Sequence, residues 1–267
     1  MLPAAIRKLS CNPVVRGVAH RLRVTRFARD LYCRLLASDG ELRVSCLGVD
    51  AVFKTRNSKQ LAFVDYIVTT ERSLIEATLC DLKAGDTFLD VGCHYGIFTV
   101  LASKLVGPRG RVIAVEPHPE SLQVLRGNLV ANRCENVDVL EVALSDTTGP
   151  LALSYDVNFA VIARETDPAA VVHQAQGMAG DEALHNFPVP NAIKIDVEGH
   201  EFSVLRGLRQ TLRDPTCRRV GLEVHPGLLP PGVDQADIVS QLRDSGLFVQ
   251  SESVRSAAVH LIAARQV

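Results

Sequence analysis

This sequence predicts an α/β fold built on a mostly parallel sheet with helices on both faces, and three observations carry that reading. From Thr87 onward, short apolar runs alternate with segments of helical periodicity, the pattern of a sheet covered on both sides. The first run, Thr87-Phe88-Leu89-Asp90-Val91, breaks into Gly92-Cys93-His94-Tyr95-Gly96 and then into a helix over residues 97–105. The second run, Arg111 to Val115, ends at an acid, Glu116. In an open parallel sheet, ligands bind at the carboxyl ends of the strands, where the first turn faces a helix N-terminus. Strand, glycine loop, helix, strand and acid therefore mark a nucleoside site as well as a fold.

Taken in order, helices are expected over residues 3–18 and 24–37, closed by Ser38-Asp39-Gly40. A hairpin follows, residues 42–47 and 51–55, joined through Gly48-Val49-Asp50. Residues 1–69 thus read as an N-terminal accessory region of helices and a hairpin, suited to cap a substrate, and residues 70–267 as the main domain. A helix over residues 70–82 opens that domain, with Leu74, Ile75, Leu79 and Leu82 at helical spacing. The first two strands come next, then a helix over residues 119–132 and strands over 137–142, 192–197 and 219–225, with a helix over 202–212 before the last of these. A helix over 235–245 leads to strands at 247–250 and 257–264, which their short connection forces to run antiparallel. Between Gly149 and Pro190 regularity lapses, with a hairpin expected over 151–154 and 159–163 and a loop over 174–180.

At 267 residues and 47% hydrophobic, the chain can bury one substantial core. A formal net charge of −1 argues against a dedicated nucleic-acid binder. Residues 7–34 are nonetheless basic: Arg7, Lys8, Arg16, Arg21, Arg23, Arg26, Arg29 and Arg34 face one acid, Asp30. A solvated helical face accounts for them, as does a patch for peripheral contact with an anionic membrane or a phosphate-bearing substrate. Seven scattered cysteines without a C-x-x-C pair fit free thiols in a reducing compartment. Residues 1–6 are too briefly apolar for a signal-peptide core, and no run approaches the roughly 20 apolar residues of a membrane span. A cytoplasmic protein is the expectation.

The loop pattern is D-x-G-x-x-x-G rather than the dinucleotide G-x-G-x-x-G. Asp90 would place an anion where a dinucleotide puts its pyrophosphate, which suits a cationic ligand such as S-adenosylmethionine. Gly92 and Gly96 would let the backbone approach that ligand closely. Glu116 sits where an acid accepts from a ribose diol. Cys93 shares the loop, where a small residue filling space is its simplest role. The competing readings are a bare turn, or a non-catalytic or NAD-type nucleotide-binding protein.

A second cluster ends the fourth strand, Ala192-Ile193-Lys194-Ile195-Asp196-Val197, which passes into Glu198-Gly199-His200-Glu201. Charges at the end of a buried strand are costly unless they face a cleft or find partners. Placement at a helix N-terminus is the plain alternative for Glu198 and Glu201. The fifth strand repeats the theme in Leu222-Glu223-Val224-His225, with acid and imidazole on one side of the strand.

With these residues in view, the chain resembles the FkbM family of S-adenosylmethionine-dependent O-methyltransferases. The resemblance rests on residues 88–96, Val115-Glu116-Pro117-His118-Pro119, Asn128, Asn132, Ala143-Leu144-Ser145-Asp146, the Lys194-to-Glu201 block and Leu222-Glu223-Val224-His225. It implies a class I, Rossmann-like, seven-stranded methyltransferase sheet. The donor contacts it implies are Asp90, Gly92, Cys93, Gly96, Glu116, Ser145 and Asp146, and Asp181 matches an acid the family carries before the fourth strand. The acceptor it implies is a hydroxyl of a sugar, polyketide or other secondary metabolite, and the basic N-terminus favours a glycan or glycolipid.

Methyl transfer to an alcohol requires a group that accepts the hydroxyl proton. His225 and His200 are the base candidates, with Glu223 and neighbouring carboxylates to orient an imidazole, and Asp196 lies close to the reacting atoms. No residue is assigned as a metal ligand. Asp196, Glu198, His200, Glu223 and His225 carry oxygen and nitrogen donors suited to a divalent cation, but their spacing matches no fixed metal signature.

Overall fold

The structure is a computed structural model and describes residues 41–155, 160–162, 172–255 and 257–266. The helices expected over 3–18 and 24–37, with their basic residues, lie outside the described residues. Strands β1 (Glu41–Cys46) and β2 (Val49–Lys54) form an antiparallel hairpin that buries Leu42, Val44, Cys46, Ala51 and Phe53 on one face. Its turn is Leu47-Gly48, both at positive φ (50° and 77°), rather than the expected Gly48-Val49-Asp50. A two-residue turn of that kind matches the twist of the strands, which brings Val49 into β2.

Helix α1 (Ser58–Thr70) was not foreseen; Asn57 caps it by accepting from Lys59 N and Gln60 N, and it buries Leu61, Val64 and Val68. Helix α2 (Arg72–Leu79) is the shortened form of the helix expected over 70–82. Then follow β3 (Thr87–Val91), α3 (Ile97–Val106), β4 (Arg111–Val115), α4 (Pro119–Asn132) and β5 (Val137–Leu140). The strand expected over 137–142 stops at Leu140, and β6 (Ala143–Ser145) turns into a different sheet with β7 (Gly149–Tyr155), β8 (Ala160–Ile162) and β9 (Val172–Ala179). Strand β9 replaces the loop expected over 174–180. Its sequence has little apolar alternation, and pairing with β7 from Gly149 to Ser154 supplies what local pattern lacks. Helix α5 (Gly180–Ala183), β10 (Ala192–Ile195), α6 (Glu201–Gly207), α7 (Arg209–Arg213), β11 (Arg219–Val224), α8 (Gln235–Asp244), β12 (Phe248–Arg255) and β13 (Ala258–Ala264) complete the described chain.

The main sheet has seven strands in the order β12-β13-β11-β10-β3-β4-β5, with only β13 reversed against its neighbours. Successive residues face opposite layers. Phe88, Val112 and Ala192 join a core with the hairpin and α1 to α3, whereas Leu89, Ile113 and Ile193 join the core under α6 and α8. The hairpin is bolted to α4 as well. Lys54 N donates to Asn128 Oδ1 at 2.7 Å, Val52 N to Asn132 Oδ1 at 2.9 Å, and Asn132 Nδ2 to Val52 O at 2.6 Å. Asn128 Nδ2 also donates to Tyr95 O at 2.8 Å, so one side chain ties the hairpin to the glycine loop.

Chain direction switches at β3, whose neighbours β4 and β10 are reached by crossovers on opposite sides. That switch opens a crevice above the carboxyl ends of the three strands. No helix among the described residues is long and apolar enough to cross a membrane.

Candidate functional site

A cleft of about 710 Å³, open to solvent, occupies that crevice. Its polar side comprises His94, Glu116, Asp196, Glu198 and His200. Its apolar side comprises Val142, Ala143 and Leu144 together with Leu151 and Leu153 of β7, and Phe63 of α1 closes one end. Phe63 stands edge-on to the rings of His94 and Tyr95, which stack on each other 3.8 Å apart.

The glycine loop is shaped by its neighbours. Gly92 N and Cys93 N both donate to Val115 O at 3.0 Å, and Gly96 N donates to Cys93 O at 2.8 Å. Gly92, His94 and Gly96 have φ of 75°, 49° and 82°. A Cβ on Gly92 would lie 1.8 Å from Asp196 O, and one on Gly96 would lie 2.4 Å from Leu125 Cδ1. Gly92 is thus required by the close approach of the backbone after β10 and Gly96 by its positive φ, demands of the fold in addition to the ligand approach read from the sequence. The Cys93 side chain packs with Ala114, Leu122 and Leu125.

Glu116 ends β4 and returns to the loop: its Oε2 accepts from His94 N at 2.9 Å and its Oε1 from His118 N at 2.8 Å. Burial pushes its carboxyl up to about 7 despite those two backbone bonds. Asp90 does not line the cleft. It is fully buried beneath the loop, Thr99 Oγ1 donates to its Oδ2 at 2.5 Å, and its Oδ1 has no hydrogen-bond partner. The anion read from the sequence as facing a cationic ligand therefore sits one layer below it, where burial raises its pKa.

Among the residues marked by resemblance, Ser145 Oγ lies 3.0 Å from His200 Nε2, and Asp146 pairs with Arg206 at 3.4 Å. Neither lines the cleft, although Ala143 and Leu144 beside them do. Asp181 holds the start of α7, accepting from Gln210 N at 2.8 Å and from Thr211 N at 2.9 Å.

The two histidines have opposite surroundings. Burial lowers the His200 pKa, with Asp146 and Glu201 opposing more weakly. His225 does not line the cleft and stands among carboxylates: Nδ1 lies 3.1 Å from Glu201 Oε1, and Nε2 lies 3.4 Å from Glu198 and 3.9 Å from Glu223. Burial opposes its charge, but the Glu201 hydrogen bond with Asp196 and Glu198 outweighs it and raises the imidazole to about 9. Glu198, at a positive φ of 50°, is raised to about 7 by burial and by Asp196. Glu223 also lies 3.4 Å from His260 Nε2.

Two groups in this cluster receive no role from the sequence alone. Lys194 is 4% exposed, donates to Gly92 O at 3.1 Å and Asp196 Oδ2 at 3.2 Å, and lies 5.2 Å from the Phe98 ring centroid. Burial opposes its charge, yet Asp196, Asp90 and Glu223 hold its pKa well above the usual value. A lysine two residues before an aspartate in an otherwise apolar strand was the available signal, since both then face one side. Glu71, buried at the start of α2, is raised to about 8 by burial, Glu223 and Asp196, and nothing local in the sequence announces it.

The cleft offers three features suited to S-adenosylmethionine. An acid ends the second sheet strand beside a glycine loop, an apolar wall can cover an adenine, and carboxylates stand near the far end for a cationic group. A profile of the methyltransferase FkbM domain matches residues 90–246. The hexuronic acid methyltransferase AglP of Haloferax volcanii is 27% identical over 209 residues, 73% of this chain and 77% of that protein. Protein-L-isoaspartate O-methyltransferase 1 of Archaeoglobus fulgidus is 31% identical over 98 residues, 33% of this chain and 45% of that one. Among solved structures, a precorrin-6y C5,15-methyltransferase from Geobacter metallireducens aligns with a TM-score of 0.48 at 16% identity, covering 74% of this chain and 88% of that one. Fibrillarin of Aeropyrum pernix, crystallised with S-adenosyl-L-methionine, aligns with a TM-score of 0.45 at 19% identity, covering 71% and 74%. The chain belongs to the FkbM methyltransferase family, a class I, S-adenosylmethionine-dependent methyltransferase.

Proposed function

We propose that this protein methylates a hydroxyl group of a sugar or a similar small polyol, with His200 taking the hydroxyl proton. The observation that carries the reading is that Asp196, Glu198 and His200 line the same cleft as Gly92, His94 and Glu116. S-adenosylmethionine supplies an electrophilic methyl group on a sulfonium. Glu116 and the glycine loop would hold its ribose, and Val142 to Leu144 with Leu151 and Leu153 would cover its base.

An alcohol is a poor nucleophile until its proton is leaving, so a neutral base beside the cleft is needed. His200 lines the cleft, burial favours its neutral form, and Ser145 fixes its ring. His225 does not line the cleft, and the carboxylates of Glu201 and Glu198 stand at its two ring nitrogens. Of the two candidates, His200 is therefore taken as the base, and His225, with Glu223, has a positioning role. Asp196 remains the carboxylate at the acceptor end. Phe63 from α1 supports a capping role for residues 41–69, the described part of the accessory region, and the free thiols support a reducing, cytoplasmic setting.

The sugar class is supported by the similarity to a hexuronic acid methyltransferase over 73% of the chain. A hexuronic acid offers a carboxylate as well as hydroxyls, so a methyl ester is the second reading. The test is transfer of labelled methyl to a panel of neutral and acidic glycans, followed by mild alkali. Label that resists alkali is an ether and supports the hydroxyl reading; label released as methanol is an ester and overturns it. His200→Gln should lower kcat by about a hundredfold or more while leaving donor affinity within about twofold, as loss of a general base does. His225→Gln with a larger kcat loss than His200→Gln would return the base role to His225.

A further inference from the structure

We infer a divalent-cation site where β10 and β11 end, with Asp196, Glu198 and His225 as its protein ligands. One donor atom from each of these residues lies within 4.8 Å of the other two. Ligands bonded at about 2.1 Å to an octahedral cation lie about 3.0 Å apart when adjacent and about 4.2 Å when opposite, so the three would have to draw together by up to about 1–2 Å to close on an ion. Asp196 and His225 directly follow two adjacent strands, paired from Ala192 with Arg219 to Ile195 with Leu222, and Glu198 stands in the turn two residues after Asp196.

The surroundings of His225 are those of a ligating imidazole. Glu201 is fully buried, its Oε1 sits 3.1 Å from His225 Nδ1 and also accepts from Gly199 N at 2.9 Å. A carboxylate on one ring nitrogen orients the ring and leaves the other nitrogen for a metal. That other nitrogen, Nε2, is the one that faces Glu198 at 3.4 Å. The Glu201 Oε2 is buried without a hydrogen-bond partner, a costly arrangement unless positive charge is close by. Four acidic side chains, Asp196, Glu198, Glu201 and Glu223, here stand around one ammonium, Lys194, and two imidazoles, His225 and His260. Acidic side chains outnumber basic ones in the cluster, a balance that a bound cation would redress.

Two carboxylate oxygens and one imidazole nitrogen form a mixed donor set that a divalent cation such as manganese accepts. Three protein ligands leave the remaining positions of an octahedron to water and to oxygen atoms of a bound acceptor. Asp196 and Glu198 also line the cleft, so such an ion would reach both the acceptor and the protein. The site goes beyond the methyl-transfer reading and is tested without it.

The probe is Mn²⁺ added to the full chain without donor or acceptor. Electron paramagnetic resonance should count one bound ion per chain, and pulsed measurements should detect coupling to an imidazole nitrogen. Mn²⁺ should also raise Tm by at least about 3 °C, as a ligand bound only by the folded state does. Glu198→Gln and Asp196→Asn should each weaken binding by about tenfold or more, the low end for altered metal sites. Absence of saturable binding up to about 5 mM, far above the usual range for such sites, overturns the proposal. So does binding without nitrogen coupling, or binding unchanged in both variants. If either variant fails to fold, the nitrogen coupling in the unaltered protein decides alone, and a methyl-transfer assay on the same sample shows separately whether the proposed reaction stands.

Discussion

Replacing Gly92 by alanine tests whether the glycine loop is shaped by the protein or by its ligand. The added Cβ would meet Asp196 O at 1.8 Å and Asp196 C at 3.0 Å, and ordinary contacts begin near 3.4 Å. The carbonyl would have to retreat by about 1.5 Å. It belongs to a segment pinned by the Asp196 N bond to Val91 O at 3.1 Å, so the movement must pull apart the ends of β3 and β10. Overpacking of this kind costs about 1–3 kcal/mol, and a φ of 75° adds about 1–2 kcal/mol for any residue with a Cβ. A total of about 2–5 kcal/mol predicts a fall in Tm of roughly 4–20 °C by calorimetry, at about 2–4 °C per kcal/mol. Gly127→Ala is the control: it lies in α4 with nothing within 4 Å of its added Cβ, and should be neutral or stabilising by about 0.5–1 kcal/mol. A Gly92→Ala protein with unchanged Tm but no donor binding would refute the reasoning, because the glycine would then serve the ligand alone.

Lys194→Met should cost about 3–5 kcal/mol in thermal or denaturant unfolding, since it strands Asp196 and Asp90 without their shared cation; a loss below about 1 kcal/mol would mean that those carboxyls are neutral. Glu116→Gln offers one oxygen where two backbone N–H groups now find partners, so donor affinity by calorimetry should weaken by about 1–3 kcal/mol; unchanged affinity would confine Glu116 to bracing the loop. Glu71 and Glu116 are raised to about 8 and about 7 from an ordinary 4.5, so the folded state holds their protons more tightly than the unfolded chain does. The stability this contributes is complete below about pH 4.5 and is lost as pH rises through 7 to 8. Without donor or divalent cation, Tm should therefore fall between pH 5.5 and 8.5, and Glu71→Gln should be the more stable protein at pH 8.5, by on the order of 3 kcal/mol. A less stable Glu71→Gln at that pH would show that the carboxylate, rather than the acid, is the form the fold prefers.

The sequence by itself determined the strand, loop and helix order of the donor half of the cleft. Residues 87–91, 111–115 and 119–132 fold as their local pattern predicts, because apolar runs of strand length and an amphipathic segment opened by Pro119 leave little choice. The Gly92–Gly96 spacing and the acid at Glu116 were legible because each acts within a few residues of its own strand. Tertiary structure decided what depends on neighbours distant in the chain. Strand β9 exists because β7 pairs with it, and α1 takes its place by burying Leu61, Val64 and Val68 against the hairpin side of the core. Asp90 was read as facing the ligand because its position ends a strand, yet in a fully buried strand the side chain of each residue belongs to one layer or the other. Only the packing against Thr99 shows which. The histidines differ for the same reason. His200 and His225 look alike in sequence, each with a glutamate one or two residues away, and what separates them is that Glu198 and Glu201 fold back onto His225 while His200 meets Ser145. Charge at a site is a property of the whole surrounding volume, and chain order alone does not carry it.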